Sequence, residues 1–145
     1  MSIDLDKAYD RCDIRFLREV LRAMHFPEVF IGVVDTMYND MRARLKVNGH
    51  IGDAFQQRNG LRQGLPSSCP LWLLYIEPLV RGLRDDKDLK GITIPGELGQ
   101  GTQQHKVSAF ADDVNAYCAD VDDAAQLVQD PQRVVKKYQR ASQQR

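Results

Sequence analysis

The chain has little of what would mark a secreted or membrane-bound protein. Its three cysteines, Cys12, Cys69 and Cys118, are odd in number and include no Cys-x-x-Cys pair. That pattern excludes a disulfide framework and points to free thiols in a reducing compartment. The longest apolar run, Leu71 to Ile76, is far too short to span a membrane. No signal peptide opens the chain and no Asn-x-Ser/Thr acceptor occurs. An intracellular protein, in the nucleus or cytoplasm and without a membrane partner, is the expectation. Internal repeats and low-complexity blocks are absent. So is a net charge, since 20 basic residues offset 20 acidic ones, and total charge therefore announces no polyanionic partner.

What is present is a folded-domain composition and an uneven charge distribution. At 145 residues, 43% of them hydrophobic, the chain is long enough for one domain with a core. Ala111 to Asp130 holds six Asp and no Lys or Arg, whereas Pro131 to Arg145 holds five Lys or Arg and no acid. An acidic site followed by a basic tail fits metal plus phosphate backbone. It also fits a solvated helix.

Periodicity orders the elements. Ser2-Ile3-Asp4-Leu5 reads as the end of a strand. Asp13 caps a helix whose Ile14, Leu17, Val20, Leu21 and Met24 share one face. Pro27 opens a second helix, with Val29, Val33, Val34, Met37 and Met41 as its predicted stripe. Ala43, Leu45 and Val47 alternate with Arg44, Lys46 and Asn48, and Asn48-Gly49 turns the chain into His50 to Phe55 as an amphipathic hairpin. A loop from Asn59 to Gly64 precedes a long apolar helix, roughly Ser67 to Arg84, capped by Ser67 or Ser68 and bent at Pro78. Gly91 to Pro95 reads as a short strand, and Glu97 to Gln104 as a polar loop. A hairpin around Asp112-Asp113 follows, then helical sequence from Asp122 to Gln144, with Asp130 as cap of a new helix starting at Pro131. The sum is an α+β plan: a small antiparallel sheet with helices on one face, plus a β-hairpin insertion.

Asp112-Asp113 is the feature that carries chemistry. Two adjacent carboxylates at a hairpin tip are costly unless a cation sits there, and Mg²⁺ wants hard oxygen ligands. Asp4, at the end of another apolar start, offers a third carboxylate if the first strand pairs with this hairpin. Adjacent aspartates at a turn are also common for backbone reasons alone.

Four stretches in order resemble a reverse transcriptase, closest to the non-LTR, LINE-like retrotransposon type. They are Ile3-Asp-Leu-Asp-Lys-Ala-Tyr-Asp-Arg11, Gly60-Leu-Arg-Gln-Gly-Leu-Pro-Ser-Ser-Cys-Pro70, Tyr75-Ile-Glu-Pro-Leu79 and Phe110-Ala-Asp-Asp113. The resemblance covers nearly the whole chain and implies a polymerase palm-type fold. It implies that Asp4, Asp112 and Asp113 are catalytic and hold two Mg²⁺ ions, with Mn²⁺ as a substitute, and that the Leu5 carbonyl is a further ligand. It implies that Tyr9, next to Ala8, excludes the ribose 2′-hydroxyl of a nucleotide. The substrate-binding set it implies is Leu5, Ala8, Tyr9, Arg62, Gln63 and Gly64, with Lys7 and Asp10 as structural members of the signature. Phe110 is expected under the primer end. The partners implied are an RNA template, a DNA primer and deoxynucleoside triphosphates.

Departures from the family pattern are Leu65 and Ser67, where Cys and Leu are usual. The resemblance also leads us to expect a single partial domain, 1–145, without the fingers, fourth palm motif and thumb. On that basis Asp4 would sit on a central strand, apolar patches would be exposed, and stability would be marginal. The alternative is an inactive retrotransposon-derived palm remnant that at most binds nucleic acid or a partner. An RNA-templated RNA polymerase is disfavoured by Tyr9 and by Phe110-Ala111. A simple Mg²⁺ or Ca²⁺ binder is disfavoured because no Asp-x-Asp-x-Asp-Gly loop occurs. His25, His50 and His105 share no ligand spacing, and Trp72 reads as core.

Overall fold

The computed structural model describes residues 2–95 and 102–129, without the side chains of Asp4 and Gln126. The elements run β1 (Ser2–Asp4), α1 (Ile14–Ala23), α2 (Glu28–Tyr38), β2 (Arg42–Val47), β3 (His50–Gln56), α3 (Ser68–Asp85), β4 (Ile92–Ile94), β5 (Gln103–His105), β6 (Val107–Phe110), β7 (Asp113–Ala116) and α4 (Val121–Gln129). This is the α+β plan expected from the sequence. The chain falls into two compact units, Lys7–Tyr75 and Met1–Asp6 with Ile76–Arg145.

In the first unit α1 starts where the sequence says it should. Asp13 is extended and its side chain accepts the backbone N–H of Arg15 at 2.8 Å, which satisfies one of the helix's orphan donors. Charged Arg15, Glu19 and Arg22 break the apolar run, so only one face can be buried, and Leu17, Val20 and Leu21 lie on it. The Arg15 side chain also bonds the Asp13 carboxylate. Chiefly through that bond, the Asp13 carboxyl is held below its ordinary value of 3.8. A depressed folded-state pKa stabilises the fold above the unfolded value and loses that contribution as pH falls through the folded one. We therefore expect Asp13→Ala to cost about 1 kcal/mol in urea unfolding at pH 7, with the gap to the parent narrowing once pH drops below 3.8.

The predicted stripe of α2 is corrected by the structure. Ile31, Val34 and Tyr38 are the buried residues, while Val29 is 81% and Val33 53% exposed. Apolar side chains occur nearly all round this helix, so spacing alone selects no face. Met41 is buried but lies past the helix end.

The β2–β3 hairpin forms with Asn48 and Gly49 both at positive φ, 47° and 82°, the two-residue turn that matches strand twist. Its apolar side is open: Leu45, Val47, Ile51 and Phe55 are all exposed.

α3 begins at Ser68, with Pro78 inside it and buried. Neither serine hydroxyl makes a capping bond. Ser68 Oγ donates to the Arg62 carbonyl and lies 3.2 Å from the Tyr38 hydroxyl. Ser67 Oγ is buried and unbonded.

In the second unit a three-stranded sheet has the order β1-β7-β6. β1 pairs antiparallel with β7 in the register Ser2↔Asn115, Ile3↔Val114, Asp4↔Asp113, so the first strand does join the last hairpin. The expectation of a central Asp4 strand is corrected: among the described strands β7 is central and β1 is an edge. Part of the expected polar loop is ordered otherwise, since Gln103 and Gln104 belong to β5 and pair with β4. Asp86 and Asp123 are buried polar residues with backbone partners, the N–H of Asp88 and of Lys90 respectively. The predicted cap at Asp130 and the helix from Pro131 lie outside the described residues.

Candidate active site

The first locus, an acidic one, is built by the β1-β7-β6 sheet. Directly opposed positions of an antiparallel pair fall on one face of the sheet, so the Asp4↔Asp113 register puts two carboxylate-bearing positions together. Along β7 burial alternates, with Val114 and Ala116 fully buried and Asp113 exposed. Burial of Val114 thus turns Asp113 to the open face. Phe110 pairs with Asp113, which leaves Ala111 and Asp112 as the two turn residues. Ala111 sits at φ 53°, a left-handed conformation costing about 1–2 kcal/mol for a residue with a Cβ. Strain of this kind is typical of positions held for function.

Asp112 and Asp113 are both exposed, and no described cation pairs with either. The Asp4 side chain lies outside the described residues. Among the described side chains no group of three His, Cys, Asp or Glu could hold a metal ion. Leu5 is half-buried just past β1. Phe110, expected under a primer end, is 84% exposed.

A second locus is a cleft of about 340 Å³ in the Lys7–Tyr75 unit, lined by Tyr9, Gln63, Gly64, Leu65, Pro66, Ser68 and Cys69. Backbone bonds bring its walls together. Leu61 N–H donates to the Tyr9 carbonyl at 2.8 Å and Gly60 N–H to the Cys12 carbonyl at 2.9 Å. The approach is so close that a Cβ on Gly60 would lie 3.0 Å from the Asp10 carbonyl oxygen, and its φ of 102° already favours glycine. Gly64 is likewise at positive φ, 88°, with open space where a Cβ would be.

Tyr9 is fixed within the cleft. Its ring stacks on Trp72 with centroids 5.5 Å apart, and Trp72 stacks on Tyr75 at the same separation. Phe16 meets Tyr75 edge-on. The Tyr9 hydroxyl donates to Cys69 Sγ at 3.4 Å. Trp72 is core, as expected, at 3% exposure, and it also fixes the plane of Tyr9. Periodicity could not show that role, because stacking depends on a fold contact across 63 residues of sequence.

Three of the expected substrate residues, Tyr9, Gln63 and Gly64, thus share one cleft. Arg62 is exposed beside it and Ala8 is buried. Leu65, Pro66, Ser68 and Cys69 were not singled out as cleft residues; their only sequence signal is adjacency to Gln63-Gly64. Cys12, Cys69 and Cys118 are all free thiols. Burial, with a smaller push from Asp13, raises the Cys12 thiol to about 12.

The chain resembles known proteins. The chain is 35% identical over 123 residues to the transposon TX1 uncharacterized 149 kDa protein of Xenopus laevis, an overlap of 85% of this chain and 9% of that protein. It is 29% identical over 115 residues to the retrovirus-related Pol polyprotein from type-2 retrotransposable element R2DM of Drosophila melanogaster, an overlap of 78% of this chain and 10% of that protein. The chain therefore spans about a tenth of the length of these relatives. The family pattern described as reverse transcriptase (RNA-dependent DNA polymerase) matches residues 1–142. On that match and those relatives, the chain belongs to the reverse transcriptase family, in its non-LTR, LINE-like retrotransposon branch.

Proposed function

We propose that this chain is the palm portion of an RNA-directed DNA polymerase that adds deoxynucleotides to a primer 3′-hydroxyl on an RNA template. The single observation that carries the reading is the Asp4↔Asp113 register, with Asp112 in the adjoining turn. Two strands distant in sequence converge carboxylate positions, which is what phosphoryl transfer assisted by two metals needs.

The donor set fits Mg²⁺. Carboxylate and carbonyl oxygens are hard ligands, and Asp112 and Asp113 are exposed with no described cation beside them. Asp4, Asp112, Asp113 and the Leu5 carbonyl would hold two ions. When bound, such ions make the primer hydroxyl more acidic and neutralise the triphosphate and the departing pyrophosphate.

The chain's own residues do the rest. Gln63 and Gly64 line the cleft against nucleotide and template, and Arg62 contacts phosphate beside it. Tyr9 presents a rigid ring edge where a ribose 2′-hydroxyl would lie, which excludes ribonucleotides by shape. Ala8, the residue before it, is buried and belongs to the same substrate-binding set. Tyr9→Ala should raise the incorporation of ribonucleotides relative to deoxynucleotides by about 10-fold or more, since shape discrimination by a pocket is worth roughly 1–3 kcal/mol. Unchanged sugar selection would remove Tyr9 from the role.

The reading is tested by Mg²⁺-dependent primer extension on an RNA template, comparing the chain with Asp112→Ala. Deoxynucleotide incorporation that disappears in the variant supports it. No incorporation by a chain shown to be folded would favour the inactive remnant.

A further inference from the structure

A second cleft in the Lys7–Tyr75 unit has a different character. It encloses about 530 Å³ and is lined by both helices of the α1–α2 pair and by the loop after β3. Three guanidinium groups line it: Arg15 and Arg18 from α1, and Arg58 from the loop. Two carboxylates, Asp13 and Asp35, also line it, and each is engaged. Asp13 bonds Arg15 at 3.1 Å, and Asp35 lies 3.3 Å from Arg18 Nε. Arg58 is exposed and has no partner among the described residues. Arg18 Nε is buried and ion-paired with Asp35. With three cations against two anions, the cleft carries an excess positive charge, and Arg58 is the guanidinium left over once Asp13 has paired with Arg15 and Asp35 with Arg18.

We propose that this cleft binds a phosphodiester group of a nucleic-acid strand, with Arg58 as its principal contact and Arg15 and Arg18 as its flanks. Guanidinium presents N–H groups in a planar fork that matches phosphate oxygens two at a time. The asparagine amide of Asn59, next to Arg58 in the wall, adds a neutral donor of the kind often used on phosphate. The choice of nucleic acid over another polyanion rests on the polymerase reading above. None of these residues belongs to the carboxylate set or to the Tyr9 cleft, so the contact positions a strand and takes no part in chemistry.

The test is the salt dependence of binding to a fluorescein-labelled RNA–DNA primer–template, read by fluorescence anisotropy on the full chain and on Arg58→Gln. Loss of one phosphate contact flattens the slope of log affinity against log salt by about 1 and weakens binding similarly across sequences. Arg22→Gln supplies the control. It removes the same charge from α1 at a residue paired with Glu19 and Glu28 and outside the cleft. A flatter slope and roughly tenfold weaker binding for Arg58→Gln, with Arg22→Gln like the parent, is the expected result. Equal effects of both variants would mean diffuse charge, and no effect of either would mean no contact; each outcome overturns the proposal. Tighter binding of a labelled acidic peptide than of the primer–template, lost in Arg58→Gln, would also overturn it. Because Arg58 is exposed, an unchanged thermal midpoint is expected in the variant. If no form of the chain extends primers yet the slope difference persists, the polymerase reading fails and the cleft stands.

Discussion

Asp113→Asn is expected to cut Mg²⁺-dependent deoxynucleotide incorporation by on the order of a thousandfold, with the fold intact. Metal-held charge stabilisation of a phosphoryl-transfer transition state is worth several kcal/mol, and about 1.4 kcal/mol corresponds to each tenfold in rate. Asparagine keeps the shape and removes the charge. Asp113 lies at the start of β7, exposed and registered against Asp4. Like charges directly opposed across strands destabilise a sheet, so in the absence of metal the variant should be no less stable than the parent and roughly 0.2–1 kcal/mol more so. The two readouts separate chemistry from folding. Primer extension should collapse while the thermal midpoint, followed by circular dichroism, holds or rises. A variant that keeps more than a tenth of the parent rate would take Asp113 out of the site, whatever its stability.

Leu17→Ala should destabilise the Lys7–Tyr75 unit by about 2–5 kcal/mol. Leu17 is fully buried on the inner face of α1. Truncation there loses the transfer free energy of the removed atoms and leaves a cavity that dense packing only partly closes. Against a typical domain stability of about 5–15 kcal/mol, that is a large share. Trp72, the chain's one tryptophan, lies in the same unit at 3% exposure, so its fluorescence in urea reports the loss directly. Val29→Ala is the informative partner. Sequence spacing puts Val29 in the core stripe of α2, yet it is 81% exposed, and a surface change of this kind stays within about 0.5 kcal/mol. Comparable costs for the two variants would contradict the burial pattern of both helices.

These two helices mark where the sequence suffices and where it does not. In α1 the charged residues Arg15, Arg18, Glu19 and Arg22 leave a single apolar face, and the Asp13 cap is a local bond between neighbours two residues apart. Both follow from short-range chemistry that spacing expresses. In α2 the run Val29-Phe30-Ile31 through Val33-Val34 is apolar in several directions, and only contact with the rest of the unit selects Ile31, Val34 and Tyr38 for burial. The same applies to β2 and β3. Alternation and Asn48-Gly49 fixed the strands and their turn, but whether the face bearing Leu45, Val47, Ile51 and Phe55 is covered is not a local property, and here it is exposed.

The sequence by itself determined the order of elements apart from β5, the hairpin that presents Asp112-Asp113, and the family, because capping, turn geometry and short motifs act between residues close in the chain. The tertiary structure alone decided three other things. It paired β1 with β7 so that Asp4 opposes Asp113, an outcome of long-range strand registry. It bonded the loop at Gly60-Leu61 to the Tyr9–Cys12 segment, which forms the cleft holding Tyr9 beside Gln63 and Gly64. And it drew Arg15, Arg18 and Arg58 around one polar cleft. Each joins residues far apart in sequence, where the entropy of closing a long loop is repaid only by contacts that exist in the folded chain.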